Sequence, residues 1–306
     1  MKIAWLTLNP AYDIHYTIPQ FSVHSENYVV SSNTDCGGKG INIARALENL
    51  GIYATAFTVL GKDNCQDFEK ELTKSIKNNV FFYTDGKIRE NITIHEQSGK
   101  ETRISLDNFS LNKDVFNKFK KSVLDFTDDE TIIAFAGRIP KGIDKNDVID
   151  FLSALKNKGG FIVCDSNSFD KCDLGKIKPW LIKPNEKEIT DLTGSKDYLE
   201  SAKALNKISA NVLITLGADG CVYSSGDGLY TADVPKITPV STIGAGDSTI
   251  AGFIFSKANN YSTEDSIRFS LACGSAACLE DGTNPPRKEE IEKIFNKITI
   301  KKLQLS

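Results

Sequence analysis

Two kinds of segment alternate along the chain. Short apolar runs lie at 3–8, 55–60, 79–83, 131–136, 160–165, 180–182 and 212–216. Between and after them come longer stretches whose apolar positions recur every three or four residues, at 40–50, 64–77, from 111, and at 144–156, 263–279 and 287–297. The runs read as strands buried on both faces, and the longer stretches as amphipathic helices. Strand–helix alternation predicts an α/β fold, with a mostly parallel, doubly wound sheet between two helical layers. Two stretches break the rhythm. Residues 14–35 alternate apolar and polar (Ile14, Tyr16, Ile18, then Tyr28, Val30), and 91–96 with 102–106 alternate around Ser98-Gly99-Lys100. They predict an extended ribbon and a hairpin at the rim. A second short hairpin is expected at 221–223 and 229–232.

The turns after the strands carry the chemistry, because open α/β sheets bind ligands beyond their strand ends. Asp13, Gly38, Gly137, Asn185, Gly217 and Gly246 are all expected to follow strands, so they can converge on one edge. The strongest single stretch is Gly244-Ala245-Gly246-Asp247, which leads into an apolar helix. A glycine turn at a helix start offers free N–H groups and the positive dipole end, a site for phosphate. Asp247 would repel that phosphate unless it has a chemical task, and the task that fits is general base toward an attacking hydroxyl. The plain alternative is a capping aspartate. The dinucleotide pattern fails, since Thr249 stands where its third glycine belongs. The P-loop fails as well, since Gly40 follows Lys39.

Lys39, among glycines 37, 38 and 40, and Asn42, three residues on, can face one side of a helix start. Arg138 follows Gly137 in another strand-end turn, while Arg89 and Arg103 belong to the rim hairpin. Asn185 and Glu188 lie one helical turn apart, which suits water-mediated Mg²⁺ binding. It suits a helix start with an acidic first turn equally well.

Composition narrows the partners. Across 306 residues the net charge is −3, which argues against a general nucleic-acid or membrane-surface role. Seven scattered cysteines without a C-x-x-C spacing suggest buried thiols in a cytoplasmic protein. No apolar run approaches the ~18 residues of a membrane helix.

Gly38-x-Gly40, Lys183-Pro184-Asn185-x-x-Glu188, Thr215-x-Gly217-x-x-Gly220 and Gly244-Ala245-Gly246-Asp247 occur in that order. Together they resemble the ribokinase-like PfkB sugar kinases over essentially the whole chain. Within that family, residues 7–13 and 38–42 are most similar to bacterial 1-phosphofructokinases, with tagatose-6-phosphate kinases and a minor 6-phosphofructokinase close by. The resemblance implies a single domain, 1–306, with an α/β/α core and a β-sheet lid from about 12–35 and 88–107, through which a homodimer can form. It implies ATP-dependent phosphorylation of a ketohexose monophosphate. Fructose 1-phosphate is the expected substrate, and tagatose 6-phosphate, or the fructose 6-phosphate of a 6-phosphofructokinase of the same family, is the alternative. A sugar-phosphate sensor built on a kinase scaffold is the non-enzyme alternative. The implied cofactors are ATP, Mg²⁺ and a monovalent cation near Ser241 and Gly282. Asp247 becomes the catalytic base, with the amides of Gly244, Ala245, Gly246 and Asp247 around the moving phosphoryl group. As a base, an ordinary carboxylate near pKa ~4 suffices. Lys183, Asn185 and Glu188 would arrange phosphates and metal. Thr215, Gly217, Gly220 and Ser275 would line the nucleotide site, and Asp13, Gly38 and Asn42 would hold sugar hydroxyls. Lys39, Arg89, Arg103 and Arg138 would receive the substrate's own phosphate. One departure stands out: Ala136 and Arg138 occupy a turn where relatives carry serines.

Overall fold

The computed structural model describes residues 1–304. The first half of the chain runs β1 (Lys2–Thr7), β2 (Ala11–Ile18), β3 (Ser31–Gly37), α1 (Lys39–Asn49), β4 (Thr55–Gly61), α2 (Cys65–Ser75), β5 (Asn78–Thr84), β6 (Arg89–Glu96), β7 (Glu101–Ser105) and α3 (Lys113–Phe126). It continues through β8 (Thr131–Ala136), α4 (Lys145–Asn157), β9 (Phe161–Asp165), α5 (Lys171–Ile177), β10 (Leu181–Ile182), α6 (Glu186–Thr193), α7 (Tyr198–Asn206) and β11 (Asn211–Thr215). The last part holds β12 (Cys221–Ser225), β13 (Gly228–Asp233), α8 (Ala245–Ala258), α9 (Thr263–Ala277), α10 (Lys288–Phe295) and β14 (Thr299–Leu303).

Ten strands form one sheet in the order β14-β13-β12-β11-β10-β9-β8-β1-β4-β5, parallel from β11 to β5 and antiparallel from β11 to β14. The central strands are the runs without alternation. Every residue of β8 is buried, as is all of β1 after Lys2. Helices cover both faces, and one flank is filled by a phenylalanine cluster in which Phe119 meets Phe57, Phe82, Phe116 and Phe151. A second sheet, β3-β2-β6-β7, stands apart from the first. It is built around the two stretches that break the strand–helix rhythm, and β7 is an exposed edge.

Helix α8 has no polar face. Nine of its residues are buried, as expected of a helix enclosed on all sides. It packs closely on α9, where a Cβ on Gly274 would lie 2.1 Å from Thr249 Oγ1.

Several expectations change. Asp13 does not stand in a turn after β1 but inside β2, because the chain re-enters extended structure at Ala11. Tyr28 and Val30 lie in the loop between β2 and β3. Helices α5 and α7 and strand β14 were not anticipated. The first is only seven residues long, and β14 is a lysine-bearing edge strand paired to β13. Cys172 is exposed and Cys278 half-buried, while the other five cysteines are buried; all seven are free. No helix among the described residues is long and apolar enough to cross a membrane.

Candidate active site

β1 and β8 are neighbours, but the chain leaves them in opposite directions, toward β4 and β5 on one side and β9 to β11 on the other. The crevice at such a switch point is where ligands bind in open α/β sheets. Thr7 and Ala136, the last residues of these strands, both line a cavity of about 410 Å³. Helix α8 begins at its wall. Gly244 turns the chain into the helix with φ 79°, in the left-handed region, and no side chain caps the end. The amide of Ala245 is turned back toward Thr242 O at 3.4 Å, whereas those of Gly246 and Asp247 find no backbone acceptor among the described residues.

Asp247 is not a cap. Its Oδ2 accepts from Asn42 Nδ2 at 2.9 Å, so α1 and α8 present these two side chains to one another. The carboxyl is 7 % exposed and lines the cavity. Burial raises its pKa to about 7, and nearby Asp165 pushes the same way. The Asn42 hydrogen bond, Lys39 and Lys183 oppose the rise without cancelling it. The carboxyl therefore lies well above the ordinary aspartate value of ~3.9 that suffices on the sequence reading.

Asp165 was missed. It ends β9, is 4 % exposed, and stands 3.0 Å from Lys39 Nζ and 4.0 Å from Lys183 Nζ. The sequence signal for it is its place as the acidic last residue of the apolar run 160–165. Lys39 also reaches Glu188 Oε1 at 3.8 Å. Burial disfavours its charge, but Asp165 and Glu188 outweigh that and hold its pKa above the usual lysine value. Lys39 is thus paired with the carboxylates of Asp165 and Glu188, and it lines the same cavity as Arg89, Arg103 and Arg138.

The arginines gather beneath the small sheet. Arg89, Asn91 and Arg103 line the cavity together with Asp13 and Arg138. Asp13 Oδ1 accepts from Asn91 Nδ2 at 2.9 Å and lies 3.5 Å from Arg103 Nη2. Arg89 Nε is buried and has no hydrogen-bond partner among the described residues. Its pKa is pushed down, first by burial, then by repulsion from Arg138 and, less, from Arg103. Asp13 offsets this in part, but the buried, unpaired Arg89 donor with Arg138 and Arg103 near it forms a site complementary to an anion.

Asn185 and Glu188 form a reciprocal capping box at the start of α6, each side chain accepting from the other's backbone N–H at 2.9 Å. The helix-start reading is therefore realised. Both residues also line the cavity, and Glu188 keeps Oε1 toward Lys39. Thr215 pairs with Asn185 across a β-bridge, and Gly217 and Gly220 follow it, one strand further along. They and Ser275, half-buried on α9, lie outside the cavity lining. Ser241 donates its amide to Cys278 O at 3.3 Å, which ties the start of the α8 turn to the loop carrying Gly282. Gly38, Lys39, Asn42, Lys183, Gly244, Gly246 and Asp247 all share the cavity, whereas Ala245 does not line it.

The family model described as pfkB family carbohydrate kinase matches residues 7–290. A 1-phosphofructokinase of Borreliella burgdorferi is 31% identical over 98% of this chain and 99% of the relative. A tagatose-6-phosphate kinase of Staphylococcus epidermidis is 28% identical over 97% and 99%. Among solved structures, phosphofructokinase-2 of Escherichia coli in complex with substrates and products superposes with a TM-score of 0.89 at 26% identity, covering 97% of this chain and 99% of the other.

Proposed function

The chain belongs to the pfkB family of carbohydrate kinases, and from that membership we propose that it transfers the γ-phosphoryl group of ATP to fructose 1-phosphate, giving fructose 1,6-bisphosphate. The observation that carries the substrate reading is the arginine nest. A neutral sugar would leave Arg89, Arg103 and Arg138 repelling one another around a buried, unpaired Nε. A sugar phosphate supplies the missing anion at one end of the cleft and places its hydroxyls toward Asp247 at the other.

The chain's own groups account for the chemistry. Phosphoryl transfer has a loose transition state, so positioning and charge stabilisation dominate. The Gly246 and Asp247 amides and the start of α8 face the moving phosphoryl group. Lys183, 5 % exposed, stands beside Gly246, where an added Cβ would meet its Nζ at 3.0 Å. Asp247 takes the proton of the accepting hydroxyl, and Asn42 holds the carboxyl in place. Asp165 keeps Lys39 and Lys183 at the cleft wall. The described residues contain no cluster of three acidic, histidine or cysteine ligands. That composition fits Mg²⁺, which usually keeps its waters and uses one or two carboxylates plus substrate phosphates. Glu188, with Asn185 through water, would hold it, and when bound it neutralises phosphate charge. Thr215, Gly217, Gly220 and Ser275 extend the site toward the nucleotide base. A monovalent cation near Ser241 and Gly282 completes the cofactors; a solved structure of the Escherichia coli phosphofructokinase-2 is in complex with potassium. We place the protein in the cytoplasm. The small sheet acts as a lid and as the contact of a homodimer, without nucleic-acid or membrane partners.

The site geometry bears first on pH dependence and then on a glycine beside Asp13. A base must be ionised, and Asp247 titrates at about 7 without ligand. kcat/KM should therefore fall as pH drops below about 7, approaching tenfold per unit. A profile flat down to pH 5 contradicts the assignment. The second concerns Gly37, where a Cβ would lie 1.8 Å from Asp13 Oδ2. Gly37→Ala should displace that carboxylate from Asn91 and Arg103 and raise KM for the sugar phosphate about tenfold or more, with KM for ATP unchanged.

The Staphylococcus epidermidis relative keeps tagatose 6-phosphate as the second reading. Phosphate and accepting hydroxyl exchange ends between the two sugars, so few side chains separate them. ADP release measured over a panel of sugars and sugar phosphates decides. The expected result is turnover of ketohexose monophosphates with fructose 1-phosphate best. Equal turnover of neutral sugars overturns the reading, and no turnover at all favours a sensor.

A further inference from the structure

Asn91 is a buried polar side chain with half of its hydrogen-bonding capacity unused. It is 5 % exposed and lines the cavity. In β6 it lies two residues from Arg89, so both project from the same face of the small sheet. In the parallel register it stands opposite Asp13, and its diagonal neighbour on β7 is Arg103, which pairs with Thr93. Its Nδ2 donates to Asp13 Oδ1 at 2.9 Å. A carboxylate oxygen accepts and an amide nitrogen donates, so this contact fixes which way the amide faces. Oδ1 then points away from Asp13, and it finds no donor among the described residues.

The same arrangement occurs once more in the cleft. Asn42 donates to Asp247 Oδ2 at 2.9 Å, and its own Oδ1 is likewise buried without a donor. Two amides are thus each oriented by a carboxylate, and each is left with a free carbonyl oxygen. A buried acceptor without a partner is costly, so such groups normally serve a ligand that brings a hydrogen-bond donor. A phosphate oxygen without a proton cannot: at Asn91 Oδ1 it would set one acceptor against another. The three arginines, on the other hand, attract it. The cleft is therefore divided into an end that takes a phosphate and a wall that takes hydroxyl donors.

We propose that Asn91 is a substrate-binding residue whose carbonyl oxygen accepts one sugar hydroxyl, and that it selects for that hydroxyl while its amide holds Asp13. The inference rests on the sugar-phosphate kinase reading. It adds a contact from the small sheet that fixes how the ligand lies between the arginines and Asp247. A site built to hydrogen-bond a hydroxyl rejects the analogue lacking it far more strongly than an apolar pocket rejects a missing methylene.

The test uses analogues of fructose 1-phosphate in which each free hydroxyl is removed in turn, assayed with wild-type enzyme, Asn91→Leu and Asn91→Ser. In the wild type, one deoxy analogue should lose about 10- to 100-fold in kcat/KM through this contact. In both variants the parent sugar should lose a similar factor. The penalty for that one deoxy position should then shrink below about threefold, while penalties at the other positions persist and KM for ATP stays constant. A general loss of packing cannot erase the penalty at a single hydroxyl. The serine variant covers the case in which buried leucine prevents folding. If the wild type is active and every deoxy penalty survives in the variants, the role of Asn91 is overturned and the kinase reading stands. If the wild type phosphorylates no ketohexose phosphate, both fall.

Discussion

Asp247→Ala is expected to lower kcat by about 10²–10⁴-fold, the usual contribution of a positioned general base, while KM for ATP changes by less than about twofold. A carboxyl 7 % exposed, beside Asp165 and at a helix start suited to phosphate, is expensive to ionise, and its pKa near 7 records that expense. It does not cap α8, and among the described residues its one side-chain hydrogen bond is that from Asn42. The substitution leaves the Gly246 and Asp247 backbone N–H groups in place, so phosphate binding should survive. Asp247→Asn preserves shape and the contact with Asn42 yet removes the base, and it should be nearly as inactive. Turnover of either variant within about tenfold of wild type would remove Asp247 from the mechanism.

Arg89→Ala should raise KM for fructose 1-phosphate about 10- to 100-fold, as expected for a buried charge-assisted contact worth about 1.5–3 kcal/mol. KM for ATP should not move. The ligand-free protein should tolerate the change, because Arg89 is repelled by Arg138 and Arg103 and its Nε has no partner to lose. The signature is therefore weaker substrate binding without weaker folding. A surface arginine would affect neither quantity, and a structural arginine would lower the melting temperature first. Steady-state kinetics with thermal unfolding of the same sample separates the three cases, and an unchanged KM for the sugar phosphate rejects the assignment.

Much of the architecture was legible because it rests on local patterning. Runs such as 131–136 are buried on both faces and read as strands without help from tertiary context. The glycine turn before Asp247 was legible for the same reason. What could not be read depends on distant partners. The position of Asp13 required knowing that Ala11–Ile18 pairs with both β3 and β6. The pairing of Lys39 with Asp165, 126 positions later, is likewise invisible in the sequence. Asn91 carried a weak signal, two residues after Arg89 in an alternating strand, but its free oxygen appears only when Asp13 is set opposite. The short helix Lys171–Ile177 and the edge strand Thr299–Leu303 lack the long periodic pattern on which a sequence reading relies.

The central claim is that one cleft holds a sugar phosphate with its anion on the arginines and its reactive hydroxyl on Asp247. A crystal structure of the Asp247→Asn protein with fructose 1-phosphate and a non-hydrolysable ATP analogue tests it most directly. The account predicts the 1-phosphate within hydrogen-bond distance of Arg89 and Arg138, and the 6-hydroxyl about 3 Å from the side chain at position 247, in line with the γ-phosphorus. A sugar phosphate bound with its phosphate away from the arginines, or with no hydroxyl near residue 247, contradicts it.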